Sequence, residues 1–147
     1  MIPPYDQRGN LPPGIHPASW EEIEGRYAYN AERRRLLAGL KAALNNLKKA
    51  GCKRVYLNGS FITEKKMPHD YDLCWEPEGV DERLIDPLFI LTRYVLPPRR
   101  EQMDKYCGEI LITLPHPAVF DMLSYLQLHD RSGDAKGIIS IDLDQLP

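Results

Sequence analysis

This 147-residue sequence has few cysteines and little net charge, and it contains no long apolar run and no leader-like start. Its three cysteines, Cys52, Cys74 and Cys107, are too widely spaced for a metal-ligand pattern and predict free thiols in a reducing cytoplasm. A net charge of −2 supplies no basic field for nucleic acid. No apolar run approaches the length of a membrane span, and residues 1–5 lack the features of a signal peptide. We therefore predict a cytoplasmic protein with no membrane partner, and nucleic acid is not expected as a general partner.

What the sequence does contain is the composition of one globular domain, with 43% hydrophobic and 27% charged residues. Residues 1–18 are rich in proline and glycine, which disfavour helices and central strands, so this segment is predicted to be an extended arm. Packing of the arm on its own domain is favoured over an embrace of a partner subunit. Residues 19–147 are predicted to form a single domain.

Two helices are predicted directly after the arm. Ser19 and Glu22 fit a capping box that begins a short helix. Asn30 caps a longer helix over residues 31–50, where leucines recur at helical spacing. The three arginines at positions 33–35 are interpreted as a solvated face of this helix, with a phosphate-binding patch as the alternative.

The second half of the chain gives a mixed pattern. Residues 80–86 and 99–106 are interpreted as helical segments, and residues 109–114 and 138–143 as strands. Residues 117–129 favour a helix by the spacing of their apolar positions, with one strand of a hairpin as the competing interpretation.

The chemistry of this chain is concentrated in one central stretch. A strand-like run leads into Gly59 and Ser60, where glycine permits a sharp turn and the free amides of a following helical turn can bind phosphate. A second strand-like run begins beside Asp70 and contains Asp72, so both carboxylates point to one face. Two adjacent carboxylates are costly unless a cation neutralises them, and Mg²⁺ commonly binds one or two carboxylates together with substrate phosphates. The stretch therefore predicts a phosphate cradle beside a magnesium site.

This pattern resembles the signature of the nucleotidyltransferase superfamily that includes DNA polymerase β. Gly59-Ser60, nine intervening residues and Asp70-Tyr71-Asp72-Leu73 match the signature, whereas Asn58 stands where an apolar residue is usual. The segments 8–16 and 136–143 also resemble a family of small bacterial proteins of unassigned function with the same central motif.

The resemblance implies an α/β (α+β) fold, a small mixed sheet flanked by helices. It implies Mg²⁺-dependent transfer of a nucleoside monophosphate from an NTP, such as ATP, to a hydroxyl-type acceptor. Gly59 and Ser60 would bind the phosphates, and Asp70 and Asp72 would bind the metal and act in catalysis.

The superfamily also uses a third carboxylate on a neighbouring strand, which can complete the metal site and accept the proton of the acceptor. Glu109 is the first candidate, with Asp121 and Asp142 as alternatives, and a solvated strand end is an equally favoured interpretation of Glu109. The leaving group could be neutralised by one of three cationic residues, Lys65, Lys66 or Arg99.

Two other resemblances fit the context less well. His69 followed by Asp70 resembles the metal-dependent His-Asp phosphohydrolases, but those sites lie on helices and this stretch favours a strand. Asp70 and Asp72 also resemble the aspartates of haloacid-dehalogenase-like phosphatases, but those follow an apolar strand, whereas a charged segment precedes these.

Minimal nucleotidyltransferases often pair with a second polypeptide, commonly in toxin–antitoxin modules. A homodimer or a second protein chain is therefore expected to complete the site. The alternative function is a non-catalytic nucleotidyltransferase-like interaction module, an antitoxin-like partner protein, which Asn58 and the small size of the chain favour.

Overall fold

Five short strands form one mixed sheet in the residues that the computed structural model describes, 1–90, 99–113 and 135–147. In chain order the strands are β1 (Ile15–Pro17), β2 (Arg54–Asn58), β3 (Tyr71–Trp75), β4 (Gly108–Ile112) and β5 (Ile138–Asp142). They lie side by side in the order β1-β5-β2-β3-β4. The β1–β5 and β3–β4 pairs are parallel, and the β5–β2 and β2–β3 pairs are antiparallel. The predicted segment 117–129, with Asp121, lies outside the described residues.

Three α-helices accompany the sheet in the described part of the chain: α1 (Trp20–Tyr27), α2 (Ala31–Lys49) and α3 (Arg99–Tyr106). The predicted capping box begins α1, because the Ser19 hydroxyl accepts from the Glu22 amide and the Glu22 carboxylate accepts from the Ser19 amide. The Asn30 side chain caps α2 by accepting from the amide of its third residue at 2.8 Å. The predicted α/β (α+β) fold, a small mixed sheet flanked by helices, is confirmed.

No helix within the described ranges is long and apolar enough to cross a membrane.

The helices cover one face of the sheet. The leucines of α2 join a buried cluster with the inward side chains of the strands, which include Leu57, Leu73, Ile110 and Ile139. Because successive side chains on a strand point to opposite faces, Asn58, Asp72 and Glu109 lie on the other face. That second face carries a smaller buried cluster of Tyr56, Cys74 and Ile138.

The N-terminal arm packs on its own domain. Its last residues form β1, which pairs with β5 at the edge of the sheet. Leu11 is buried, and its carbonyl accepts a hydrogen bond from the Gly137 amide at 2.9 Å. The Arg26 guanidinium lies 4.3 Å from the centre of the Tyr5 ring. The arm is therefore a part of the sheet as well as an extended segment.

The prediction of a helix over residues 80–86 is wrong, because this segment forms turns. The Asp81 carboxylate accepts from the Arg83 amide at 3.0 Å and also pairs with the Arg83 guanidinium. Such a local side-chain bond competes with helical hydrogen bonding. Pro87 then disfavours a helical conformation at the residue before it, and a single 3₁₀ turn, Pro87–Phe89, follows.

The three arginines near the start of α2 do not share one environment. Arg34 and Arg35 are exposed, as the solvated-face interpretation expects. Arg33 is 0% exposed, so that interpretation is wrong for this residue. Its position on α2 points it inward, because it lies three residues before the buried Leu36 and seven before the buried Leu40.

The buried guanidinium of Arg33 binds the loop that joins β2 to β3. It donates hydrogen bonds to the carbonyls of Phe61 at 2.7 Å, Thr63 at 3.1 Å and Lys65 at 2.5 Å. The side-chain amide of Asn30 donates a hydrogen bond to the carbonyl of Lys66, the next residue in the loop, at 2.9 Å. The N-terminal end of α2 thus fixes the backbone between the two parts of the predicted site.

Replacement of Arg33 by methionine should strongly destabilise the fold. Methionine keeps the apolar stem but leaves three loop carbonyls without their donor, and each buried unsatisfied group costs roughly 1–3 kcal/mol. We expect Arg33→Met to lower the free energy of unfolding by about 3 to 5 kcal/mol, measured by urea denaturation with tryptophan fluorescence.

The matched control is Arg34→Met, at an exposed position in the same turn of the helix. Its free energy of unfolding should change by no more than about 0.5 kcal/mol. Equal denaturation midpoints for the two variants would contradict a structural role for Arg33.

Candidate functional site

The turn after β2 has a conformation that favours glycine. Gly59 has φ 88° and ψ −171°, and a Cβ atom at this position would overlap the Oδ2 atom of Asp72. A 3₁₀ turn, Ser60–Ile62, follows, and its first internal hydrogen bond runs from the Ile62 amide to the Gly59 carbonyl at 3.4 Å. The amides of Ser60 and Phe61 precede that bond, as in the first turn of any helix. The carboxylate of Asp72 therefore lies directly against the glycine corner.

Three strands bring oxygen-bearing side chains into one row. Asn58 on β2 is opposite Asp72 on β3, and Asp72 is in turn opposite Glu109 on β4. All three lie on the face away from the main core. Asp70 immediately precedes β3 and is partly exposed. The fold thus brings together Gly59 and the three predicted carboxylates, although they come from three separate parts of the chain.

Arg99, the first residue of α3, lies between two of these carboxylates. Its guanidinium is 3.2 Å from the Asp70 Oδ2 atom and 3.4 Å from the Glu109 Oε2 atom. The Arg99 side chain is 61% exposed, so each of these ion pairs is expected to contribute little to stability. Arg99 was predicted as a cation for the leaving group, and the structure places it at the carboxylates themselves.

Asp72 occupies an unfavourable electrostatic environment. Burial, followed by the nearby charges of Asp70 and Glu109, raises the pKa of Asp72 from its ordinary value of 3.8 to about 7. The cations of Lys136 and Arg99 act in the opposite direction. Neither forms an ion pair with Asp72 within the described residues, so neither neutralises this carboxylate directly.

The donor atoms around Asp72 fit a hard divalent cation, because carboxylate and amide oxygens are the ligands that Mg²⁺ and Ca²⁺ prefer. No group of three or more His, Cys, Asp or Glu side chains in ranges 1–90, 99–113 and 135–147 is arranged to hold a metal ion. A cation at Asp72 would therefore need further oxygen ligands, such as substrate phosphates, water or the amide of Asn58.

Two of the other predicted residues lie away from this row. Asp142 is opposite Arg54, four residues from Asn58 along β2, which corresponds to about 13 Å. The carboxylate of Asp142 instead caps the last turn of the chain by accepting from the Asp144 amide at 3.0 Å. The prediction of Asp142 as an alternative third carboxylate is therefore wrong.

Lys65 and Lys66 are exposed residues of the β2–β3 loop, and the contacts described for them use their backbone atoms. A role for their ammonium groups stays a prediction. Sequence reasoning missed Lys136, a half-buried lysine two residues before β5 that acts electrostatically on Asp72. Its only signal in the sequence was its place just before the last strand.

Comparison with known protein families identifies a family to which this chain is similar. The model of the family of unknown function DUF6932 matches residues 3–142, which is nearly the whole chain. No curated protein and no solved structure gives a significant match.

The raised pKa of Asp72 makes the stability of the fold depend on pH with a defined sign. Below about pH 3.8 this carboxyl is protonated in both the folded and the unfolded chain. As the pH rises towards 7, the unfolded chain releases the proton first, so the folded state loses stability. Asp72→Asn removes this loss, and the variant should gain on the order of 4 kcal/mol relative to the wild type between pH 4 and pH 8.

Urea denaturation of both proteins across this pH range measures the difference directly. Asp144→Asn, at an exposed position away from the row, controls for the loss of one carboxylate. A difference between the wild type and Asp72→Asn that does not change with pH would show that Asp72 is not destabilised by its surroundings.

Proposed function

Since the chain belongs to DUF6932, whose description assigns no activity, we propose a function from the geometry of the site. The protein is proposed to be a Mg²⁺-dependent nucleotidyltransferase that moves a nucleoside monophosphate from an NTP to a hydroxyl-type acceptor. The motif resemblance implies this reaction, and the arrangement around Gly59 supports it.

The observation that carries the proposal is the contact between Asp72 and Gly59. A carboxylate that binds a metal–triphosphate must face the amides that bind the phosphates, and Asp72 lies against this corner. The row from Asn58 to Glu109 adds a further carboxylate one strand away. An ordinary turn followed by an edge strand requires neither feature, and β3 is an interior strand of the sheet.

In the proposed reaction the acceptor oxygen forms a bond to the α-phosphorus, and the bond from that phosphorus to the pyrophosphate oxygen breaks. Glu109 is the proposed acceptor of the hydroxyl proton, and the amides at Ser60 and Phe61 hold the β- and γ-phosphates. When bound, Mg²⁺ supplies charge neutralisation and orientation of the phosphates.

The ion pairs of Arg99 engage two of the three carboxylates of the site. With Arg99 on Asp70 and Glu109, two carboxylates are engaged and repel the triphosphate less. An exposed guanidinium can also turn to a phosphate, which would free Glu109 to act as a base. We therefore propose that Arg99 exchanges a carboxylate for the nucleotide when the substrate binds.

A second candidate function is a non-catalytic interaction module with this fold, such as an antitoxin-like partner. The same Arg99 contacts favour it, because they satisfy Asp70 and Glu109 without any ligand. In either case a second protein chain or a second copy is the proposed partner, as the resemblance to toxin–antitoxin members implies.

Nucleotide binding separates the two functions. We expect ATP or another NTP to bind in the presence of Mg²⁺ and not in the presence of a chelator, measured by titration calorimetry. Asp70→Ala/Asp72→Ala should weaken this binding by at least about tenfold, because the carboxylates that hold the metal are lost.

Asp144→Asn is again the matched control and should bind like the wild type. Release of pyrophosphate from the bound NTP in the presence of candidate acceptors then tests transfer. A folded wild-type protein that binds none of the four NTPs with Mg²⁺ would rule out the transferase and leave the interaction module.

A further inference from the structure

Asn58 belongs to the row with Asp72 and Glu109, although an apolar residue is usual at its position in the motif. It lies at the end of β2, directly opposite Asp72 in an antiparallel pair, where the Cβ atoms of facing residues are about 4.5–5.5 Å apart. Because Leu57 points into the main core, the Asn58 side chain lies on the same face as the Asp72 carboxylate. Its carboxamide is thus a direct neighbour of that carboxylate.

Among the residues that the structure describes, the Asn58 amide oxygen has no hydrogen-bond partner. The residue is 8% exposed, and its Oδ1 atom is buried and unpaired. Buried polar atoms are nearly always paired, so an unpaired acceptor beside a carboxylate calls for a physical reason. An apolar side chain at this position would avoid the cost altogether.

The neighbouring carboxylates differ in how they are neutralised. Asp70 and Glu109 both have the Arg99 guanidinium as a partner. Asp72 has no hydrogen bond or ion pair within the described residues. The Asp72 carboxylate and the Asn58 amide oxygen are therefore adjacent, and both lack a partner among the described residues. A positively charged group between β2 and β3 would interact favourably with both.

The local charge favours a cation over a neutral molecule at this position. Among the described residues, the charged groups that act on this position are three carboxyl groups, Asp70, Asp72 and Glu109, and two cations, Arg99 and Lys136. When Asp72 is ionised, one negative charge among these groups is not balanced. A water molecule could donate to the amide oxygen, but it would leave that charge unchanged, whereas a divalent ion satisfies both oxygens and the charge.

We propose that Asn58 is a ligand of the divalent cation, and that the cation binds between the Asn58 amide oxygen and the Asp72 carboxylate. The inference rests on the metal of the proposed function and assigns its position. Asp70 then also binds the ion or remains paired with Arg99. The ion is a hard divalent cation such as Mg²⁺ or Mn²⁺.

The experiment is a titration of the protein with Mn²⁺ alone, in which free Mn²⁺ is measured by its electron paramagnetic resonance. Asn58→Leu removes the oxygen at similar volume and should weaken Mn²⁺ binding by about 10- to 100-fold. Asn58→Asp replaces the amide oxygen by an anionic one and should tighten Mn²⁺ binding by about tenfold. Asn45→Leu, at an exposed position on α2, is the control and should bind like the wild type.

Each outcome decides the inference. Weaker binding by Asn58→Leu together with tighter binding by Asn58→Asp supports it. Equal Mn²⁺ affinity of Asn58→Leu and the wild type overturns it and leaves the cation with the acidic pair, so the proposed function stands. If Asn58→Leu does not fold, as judged by circular dichroism, an unchanged affinity of Asn58→Asp overturns it instead. A wild-type protein that binds no Mn²⁺, with or without an NTP, overturns both this inference and the proposed metal chemistry.

Discussion

The guanidinium of Arg33 is the contact on which the candidate site depends most. It is buried without a carboxylate partner among the described residues, and it is stabilised instead by three loop carbonyls and three aromatic rings. The loop that it binds begins after Gly59 and ends before Asp70. Because its carbonyls point at a cation on α2, this loop cannot shift relative to the helix without exposing a buried charge. The path of the loop between the glycine corner and the acidic strand is therefore fixed from inside the core.

The register of the strands keeps the three site residues on one face of the sheet. A shift of β3 by one residue would turn Asp72 into the core and bring Leu73 to the polar face. The apolar side chains that alternate with the site residues, Leu57, Leu73 and Ile110, oppose such a shift because all three are buried in one cluster. The same burial that stabilises the sheet thus aligns Asn58, Asp72 and Glu109, and no separate interaction is needed to hold the row together.

Much of this arrangement could be predicted from local patterns. The capping residues Ser19 and Asn30, the two strand-like runs and the glycine turn each depend on nearby residues alone, and the structure agrees with them. The burial of Arg33 could also have been predicted, because it continues the helical spacing of the buried leucines. The interpretation went wrong by treating three adjacent arginines as one unit.

Other features could not be derived from local sequence. The contacts of Arg99 with Asp70 and Glu109 depend on the order of strands in the sheet, which brings β4 next to β3 across a long connection. The influence of Lys136 on Asp72 likewise depends on tertiary placement. The failed helix at 80–86 has a local cause, but hydrophobic spacing does not detect a side chain that binds its own backbone.

The row of Asn58, Asp72 and Glu109 contains two adjacent residues, Asn58 and Asp72, whose burial is unfavourable for the stability of the fold. A chain selected only for stability would not bury Asp72 beside two other carboxylates, nor leave the Asn58 oxygen without a partner among the described residues. Conflicts between a local choice and the overall fold are expected mainly at functional sites. If the two costs were unrelated, each would require its own explanation. A single positive ion between β2 and β3 would relieve both unfavourable contributions. That one ligand would explain both is the strongest physical reason to regard the row as a binding site.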